Sequence, residues 1–115
     1  MAYVISTPDP DGVPVFLGEV EWQTHILKRH PEVADFLNDI EGVVQNPDAR
    51  HRDSENERVN LHYGRIAESR RLHPKLAYLL VVIKYVDAPE RGFQRTGFVS
   101  SVYFLKEIKR RGIPL

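Results

Sequence analysis

The spacing of hydrophobic residues changes from a helical to an extended pattern near residue 48. Val33, Phe36, Leu37, Ile40 and Val44 recur at i, i+3, i+4, i+7 and i+11, the spacing that gathers apolar side chains on one stripe of an α-helix. Asp35, Asn38, Asp39 and Glu41 fall mostly on the polar side, and Asn46-Pro47-Asp48 ends the run. Pro31 suits the first turn of this helix, where no amide donor is needed. A helical pattern also starts at Glu19. Pro31 limits that first helix to about His30, because the residue before a proline avoids the α region. Downstream, Arg58–Ile66 alternates, with Val59, Leu61 and Tyr63 on one face and Asn60 and His62 on the other. Leu76–Val86 is almost continuously apolar, as expected of a central strand covered on at least part of both faces. Phe93–Phe104 reads as a long returning strand and Asp48–Asp53 as a weak, polar one.

Residues 6–14, Ser-Thr-Pro-Asp-Pro-Asp-Gly-Val-Pro, are rich in turn formers, so residues 1–14 read as a loose lead-in. Val15–Leu17 is a short strand candidate. The expectation is a single α+β domain over residues 1–115. Two N-terminal helices pack on a four-stranded antiparallel sheet, and residues 106–115 form a basic tail.

Composition narrows the class. A chain of 115 residues, 42% hydrophobic and 28% charged, buries one core without staples. No apolar run approaches the roughly 20 residues of a membrane helix. Met1–Pro10 has neither a basic nor an apolar leader region, so the expectation is a cytoplasmic protein without a secretory signal. With no cysteine, disulfides, thiolate metal sites and a cysteine nucleophile are excluded.

Sixteen Lys+Arg balance 16 Asp+Glu. The zero conceals a gradient from acidic Asp9, Asp11, Glu19 and Glu21 to basic Lys106, Lys109, Arg110 and Arg111. It argues against indiscriminate coating of nucleic acid, but not against a local phosphate site.

Candidate chemistry concentrates on Trp22–Glu32. On a regular α-helix His25 and Arg29, four residues apart, share a face. A histidine that exchanges protons near neutral pH beside a fixed, forked anion binder suits phosphate-centred chemistry. The other reading is a hydrogen-bonded His25 beside a solvated Lys28/Arg29 face. His25 and His30 are five apart and form no His-Glu-x-x-His pattern, so no metal site is expected. Regular alternation puts Lys84 at the end of an apolar row with Tyr78, Leu80 and Val82, and Ser101 on a face with Gly97, Val99 and Tyr103. Tyr63 and Arg65 share a face two residues apart. No Gly-rich phosphate loop, nucleophile elbow or base-stacking aromatic pair stands out.

The order of blocks is informative. His25-Ile26-Leu27-Lys28-Arg29-His30-Pro31-Glu32, a helix ending at Asn46-Pro47-Asp48, then Leu80-Val81-Val82-Ile83-Lys84-Tyr85 and Gly97-Phe98-Val99-Ser100-Ser101-Val102-Tyr103 resembles the phage and bacterial members of the barnase–EndoU–colicin–RelE-like nuclease superfamily. The likeness covers roughly residues 20–110. It implies metal-independent RNA cleavage with no cofactor. Carried over by position, His25 is the general base or acid at the ribose 2′-hydroxyl or the leaving oxygen. Arg29 and Lys84 stabilise the phosphorane-like transition state, and Ser101 hydrogen-bonds a phosphate oxygen or orients the histidine. Arg65 or Tyr63 binds the scissile phosphate or stacks on a base. His30 is an alternative proton carrier or a helix cap, and Tyr103 joins the substrate-binding set. The implied partners are RNA and, for a toxin, a cognate antitoxin or inhibitor protein, with no membrane and no metal. The alternative is a non-catalytic RNA- or protein-binding module on the same scaffold.

Overall fold

The structure is a computed structural model that describes residues 2–88, 93–109 and 112–115. Its centre is a seven-stranded mixed sheet in the order β1-β2-β6-β5-β4-β3-β7. The strands are β1 (Tyr3–Pro8), β2 (Pro14–Gly18), β3 (Ala49–Arg52), β4 (Val59–Arg65), β5 (Tyr78–Ala88), β6 (Phe93–Leu105) and β7 (Ile113–Pro114). Two helical segments lie between β2 and β3. The first, α1 (residues 19–29), is an α turn Glu19–Glu21, a π turn Trp22–Ile26 and an α turn Leu27–Arg29. The second, α2 (residues 31–45), opens as a 3₁₀ helix over Pro31–Phe36 and continues as an α-helix over Leu37–Gln45. Among the described residues no helix is long and apolar enough to cross a membrane.

The fold is α+β, but the expected four-stranded antiparallel sheet is not what forms. The four expected strands are β3 to β6, and β1, β2 and β7 extend the sheet beyond them. β2 pairs parallel to β6, through Val15↔Gly97 and Phe16↔Phe98. Residues 3–8 of the lead-in pair antiparallel with β2. Local composition conceals this hairpin, because Pro8, Pro10, Gly12 and Pro14 cluster at its turn. The turn is nonetheless specified. Asp9 Oδ1 accepts the amides of Asp11 and Val13 at 2.8 and 2.9 Å, and Gly12 takes φ 81°, a conformation that costs other residues. Asp9 Oδ2 accepts the Tyr85 hydroxyl at 2.7 Å, tying the hairpin to the central strand. At Gly97 a Cβ would press on Tyr85, Ile83 and Val15, so its absence lets β2 close against β6. β7, two residues beside β3, is too short to register as a period.

The period of each element decides its burial. Val33, Phe36, Ile40 and Val44 of the α2 stripe are buried with Trp22 and Ile26 of α1 against Leu79, Val81, Ile83 and Tyr85 of β5. On the other face, Leu61, Tyr63, Leu80 and Leu105 form a smaller cluster, against which Ile108 of the C-terminal segment packs. β5 is therefore covered on both sides along Tyr78–Val82, which explains its unbroken apolar run. Further along, toward β1 and β2, the face opposite the helices is open. Glu90, Arg91, Arg110 and Arg111 lie outside the described residues, so the charges they add to the sequence pattern have no place in the geometry below.

Candidate functional site

A groove of about 290 Å³ lies on that open face, lined by Tyr3, Phe16, Phe98, Lys84, Ser100 and Glu21 among others. Strand register builds it. Phe16 pairs with Phe98, and Phe98 pairs with Lys84, so two rings and an ammonium stand on three neighbouring strands about 4.8 Å apart. Tyr3 adds a third ring, its centroid 4.8 Å from that of Phe16, which in turn is 6.3 Å from Phe98.

The serine pair is resolved by a bulge. Val82 pairs with Ser101 but Ile83 pairs with Val99, leaving Ser100 as an extra residue on β6. An extra residue in one strand re-aims the side chains around it. Val99 and Val102 both enter the helix-side core, so both serines between them fall on the open side. The expected sharing of a face by Ser101 and Val99 is thus corrected. Ser100, rather than Ser101, lines the groove, and its hydroxyl donates to the Val82 carbonyl at 3.3 Å. Ser101 stands one pair further along, on the face that holds Lys84.

β2 ends at Gly18, and α1 takes its place beside the remainder of β6. Glu21 lines the groove with Ser100, while at the other end of α1 the His30 ring stacks on Tyr103, centroids 5.4 Å apart and planes at 26°. The helix therefore runs along β6 from Ser100 to Tyr103. His25 lies between these two ends, its Nε2 3.9 Å from Glu21 Oε1. It sits in a π turn closed by the Leu27 amide on the Trp22 carbonyl, an irregularity often found where a helix presents a functional group. Neither His25 nor Arg29 is among the groove-lining residues; His25 reaches the groove only through Glu21, and Arg29 is exposed in the last turn. His30 occupies the residue before α2 without a side-chain capping bond. Its Nδ1 instead meets Glu32 Oε1 at 3.1 Å, which removes the helix-cap reading.

Two expected substrate contacts lie elsewhere. Tyr63 is 0% exposed, with its hydroxyl donating to the Lys109 carbonyl at 3.5 Å and its ring edge against His51. No base can reach it. Arg65 pairs with Tyr78, six residues along β5 from Lys84, a separation of about 20 Å in an extended strand. Its guanidinium donates to the Tyr78 hydroxyl at 3.3 Å. Sequence alternation correctly put Tyr63 and Arg65 on one face but could not tell which stretch of that face the C-terminal segment covers.

The groove residues missed in the sequence are Glu21, Ser100 and the three rings. Tyr3 and Phe16 share one hairpin while Phe98 is distant in the chain, and the antiparallel β1–β2 and parallel β2–β6 pairings together align the three. Tyr85, on the central strand, faces the helices instead and is 3% exposed.

Among the described residues there is no group of three or more His, Asp or Glu side chains able to hold a metal ion. A separate buried imidazole, His62, is 0% exposed beneath the end of α2. Its Nδ1 donates to the Val43 carbonyl at 3.3 Å, and burial pushes its pKa down to about 4. It therefore stays neutral at physiological pH and plays no part in the groove. No family model, curated protein or solved structure matches this chain.

Proposed function

We propose that the groove is the active site of a metal-independent endoribonuclease-like domain of the barnase–EndoU–colicin–RelE type. The observation that carries this reading is that Lys84, Ser100 and Glu21 line one groove while Glu21 meets His25. A cation and a hydroxyl then line a space open to a chain-like substrate, and a proton carrier stands beside its acidic rim residue.

In this reading His25 takes the proton from a ribose 2′-hydroxyl, whose oxygen attacks the neighbouring phosphorus as the bond to the 5′ oxygen breaks. Glu21 is a positioning residue that orients the imidazole. Lys84 faces the negative charge that grows on the non-bridging oxygens, the electrostatic contribution that is usually the largest. Ser100, with Ser101 beside it, donates to a phosphate oxygen. The leaving 5′ oxygen is protonated by His30, the second imidazole along the same edge. RNA is the substrate. The toxin or phage-derived reading brings a cytoplasmic location and a cognate inhibitor protein with it.

Purified protein incubated with total RNA in EDTA tests the proposal. Cleavage is expected for the wild type. It should fall by about 10²–10⁴ in His25→Ala, the usual worth of acid–base catalysis, and strongly in Lys84→Ala. No cleavage by the wild type, or equal cleavage by all three proteins, overturns it. RNA binding that survives His25→Ala without any cleavage by the wild type would instead identify a non-catalytic RNA-binding module.

A further inference from the structure

We propose that Tyr3, Phe16 and Phe98 form a nucleobase-stacking subsite that takes unpaired bases of a single strand while Lys84 holds an adjoining phosphate. This inference rests on the nuclease reading of the groove and assigns it a substrate-binding part contributed by the N-terminal hairpin.

Three features support it. The rings form one row across β1, β2 and β6, with centroids 4.8 and 6.3 Å apart. Tyr3 and Phe98 remain 44% and 36% exposed, although large apolar side chains gathered on a surface usually mark a binding site. Lys84 pairs directly with Phe98 and is itself exposed, so a cation stands beside the rings as phosphate stands beside a base. Aromatic side chains on a sheet are a general platform for splayed-out bases, and every base has a face to stack whatever its sequence. A duplex keeps those faces against each other and cannot use the row. At about 290 Å³ the groove lies near the small end of ligand sites, roughly 300–1,000 Å³, a size suited to one or two nucleotides. The neighbouring ammonium favours this occupant over an apolar protein segment.

The test measures binding of the full chain to a 2′-O-methyl oligonucleotide, whose blocked 2′ oxygen prevents cleavage. The same strand carrying abasic sugars and its perfect duplex are the comparison probes. The base-bearing single strand is expected to bind most tightly. Phe16→Leu and Phe98→Leu, which keep apolar bulk without a ring, should weaken it by roughly 5- to 100-fold. Phe98→Tyr should restore it. Lys84→Ala should instead reduce the dependence of log affinity on log salt by about 0.7, the effect of one phosphate contact to a single strand. Loss of the base from the probe should erase the difference between wild type and Phe98→Leu.

Equal affinity for base-bearing and abasic strands overturns the subsite, as does wild-type affinity in both leucine variants. Self-association abolished by Phe16→Leu, with no strand bound, also overturns it and assigns the face to a second copy. Base-dependent binding without cleavage of the unmethylated RNA leaves the subsite standing and removes the nuclease reading. Cleavage that persists with no base dependence does the reverse.

Discussion

Glu21 lies on the rim of the open-face groove, and its carboxylate meets the His25 imidazole at 3.9 Å. The two residues are four apart on α1, which presents them together across the π turn beside β6. An acidic partner near an imidazole limits the orientations the ring can take. In the proposed reaction Glu21→Gln keeps a hydrogen-bonding group but loses the charge. We expect kcat to fall by roughly 10-fold, less than the 10²–10⁴ attached to His25 itself, with KM little changed. A change in KM alone would make Glu21 a binding group and not a positioning one.

The bulge at Ser100 makes two adjacent hydroxyls unequal. Ser100 lines the groove, whereas Ser101 is paired with Val82 further along β6. Ser100→Ala should lower RNA cleavage more than Ser101→Ala, measured as kcat/KM on one oligoribonucleotide. A larger effect at Ser101 would show that the strand meets its substrate in the unbulged register.

Tyr63→Phe and Arg65→Ala should leave cleavage unchanged. Tyr63 is sealed beneath the C-terminal segment, and Arg65 stands at the far end of β4. Initial rates on the same oligoribonucleotide test both variants, and a large loss in either would require the substrate to extend across the covered half of the sheet.

The hairpin that bears Tyr3 and Phe16 is held by Asp9, which accepts the buried Tyr85 hydroxyl at 2.7 Å. Burial and the Asp9 carboxylate both push the Tyr85 pKa up, so the hydroxyl remains a donor throughout the ordinary pH range. Tyr85→Phe leaves the 6%-exposed Asp9 without that donor and should cost about 1.5–3 kcal/mol in urea denaturation, the range for hydrogen bonds to charged groups. A cost near zero would mean that the hairpin is held by strand pairing alone.

His62 predicts a dependence of stability on acid. Its pKa falls from 6.5 to about 4 on folding, so between those values the unfolded chain binds more protons than the folded one. Stability from this group is complete above pH 6.5 and declines as pH falls toward 4. The loss at the acid end is about 3 kcal/mol, from 1.36 kcal/mol per unit. Urea midpoints measured from pH 7 to pH 4 should fall more steeply for the wild type than for His62→Asn, which cannot take up the proton. Parallel curves would remove His62 as the source.

The periodic parts of the chain were legible locally. The α2 stripe from Val33 to Val44, the alternation of Val59, Leu61 and Tyr63, and the apolar run of β5 each encode which side chains leave water. Each requires only a few consecutive residues to be read. His25 and Lys84 stand out as chemical groups for the same reason, since residue type and position within one element carry that information.

What the chain determined by itself was therefore the α+β class, the helices, the four inner strands and an inventory of reactive side chains. Tertiary structure decided which of those side chains share a space. The parallel pairing of β2 with β6 aligned Phe98 with the two rings of the N-terminal hairpin, and one extra residue at Ser100 set the hydroxyl register. Docking of the C-terminal segment buried Tyr63 while leaving Lys84 exposed. These are long-range pairings, and their geometry depends on how strands and segments meet across the sheet, which no local period records.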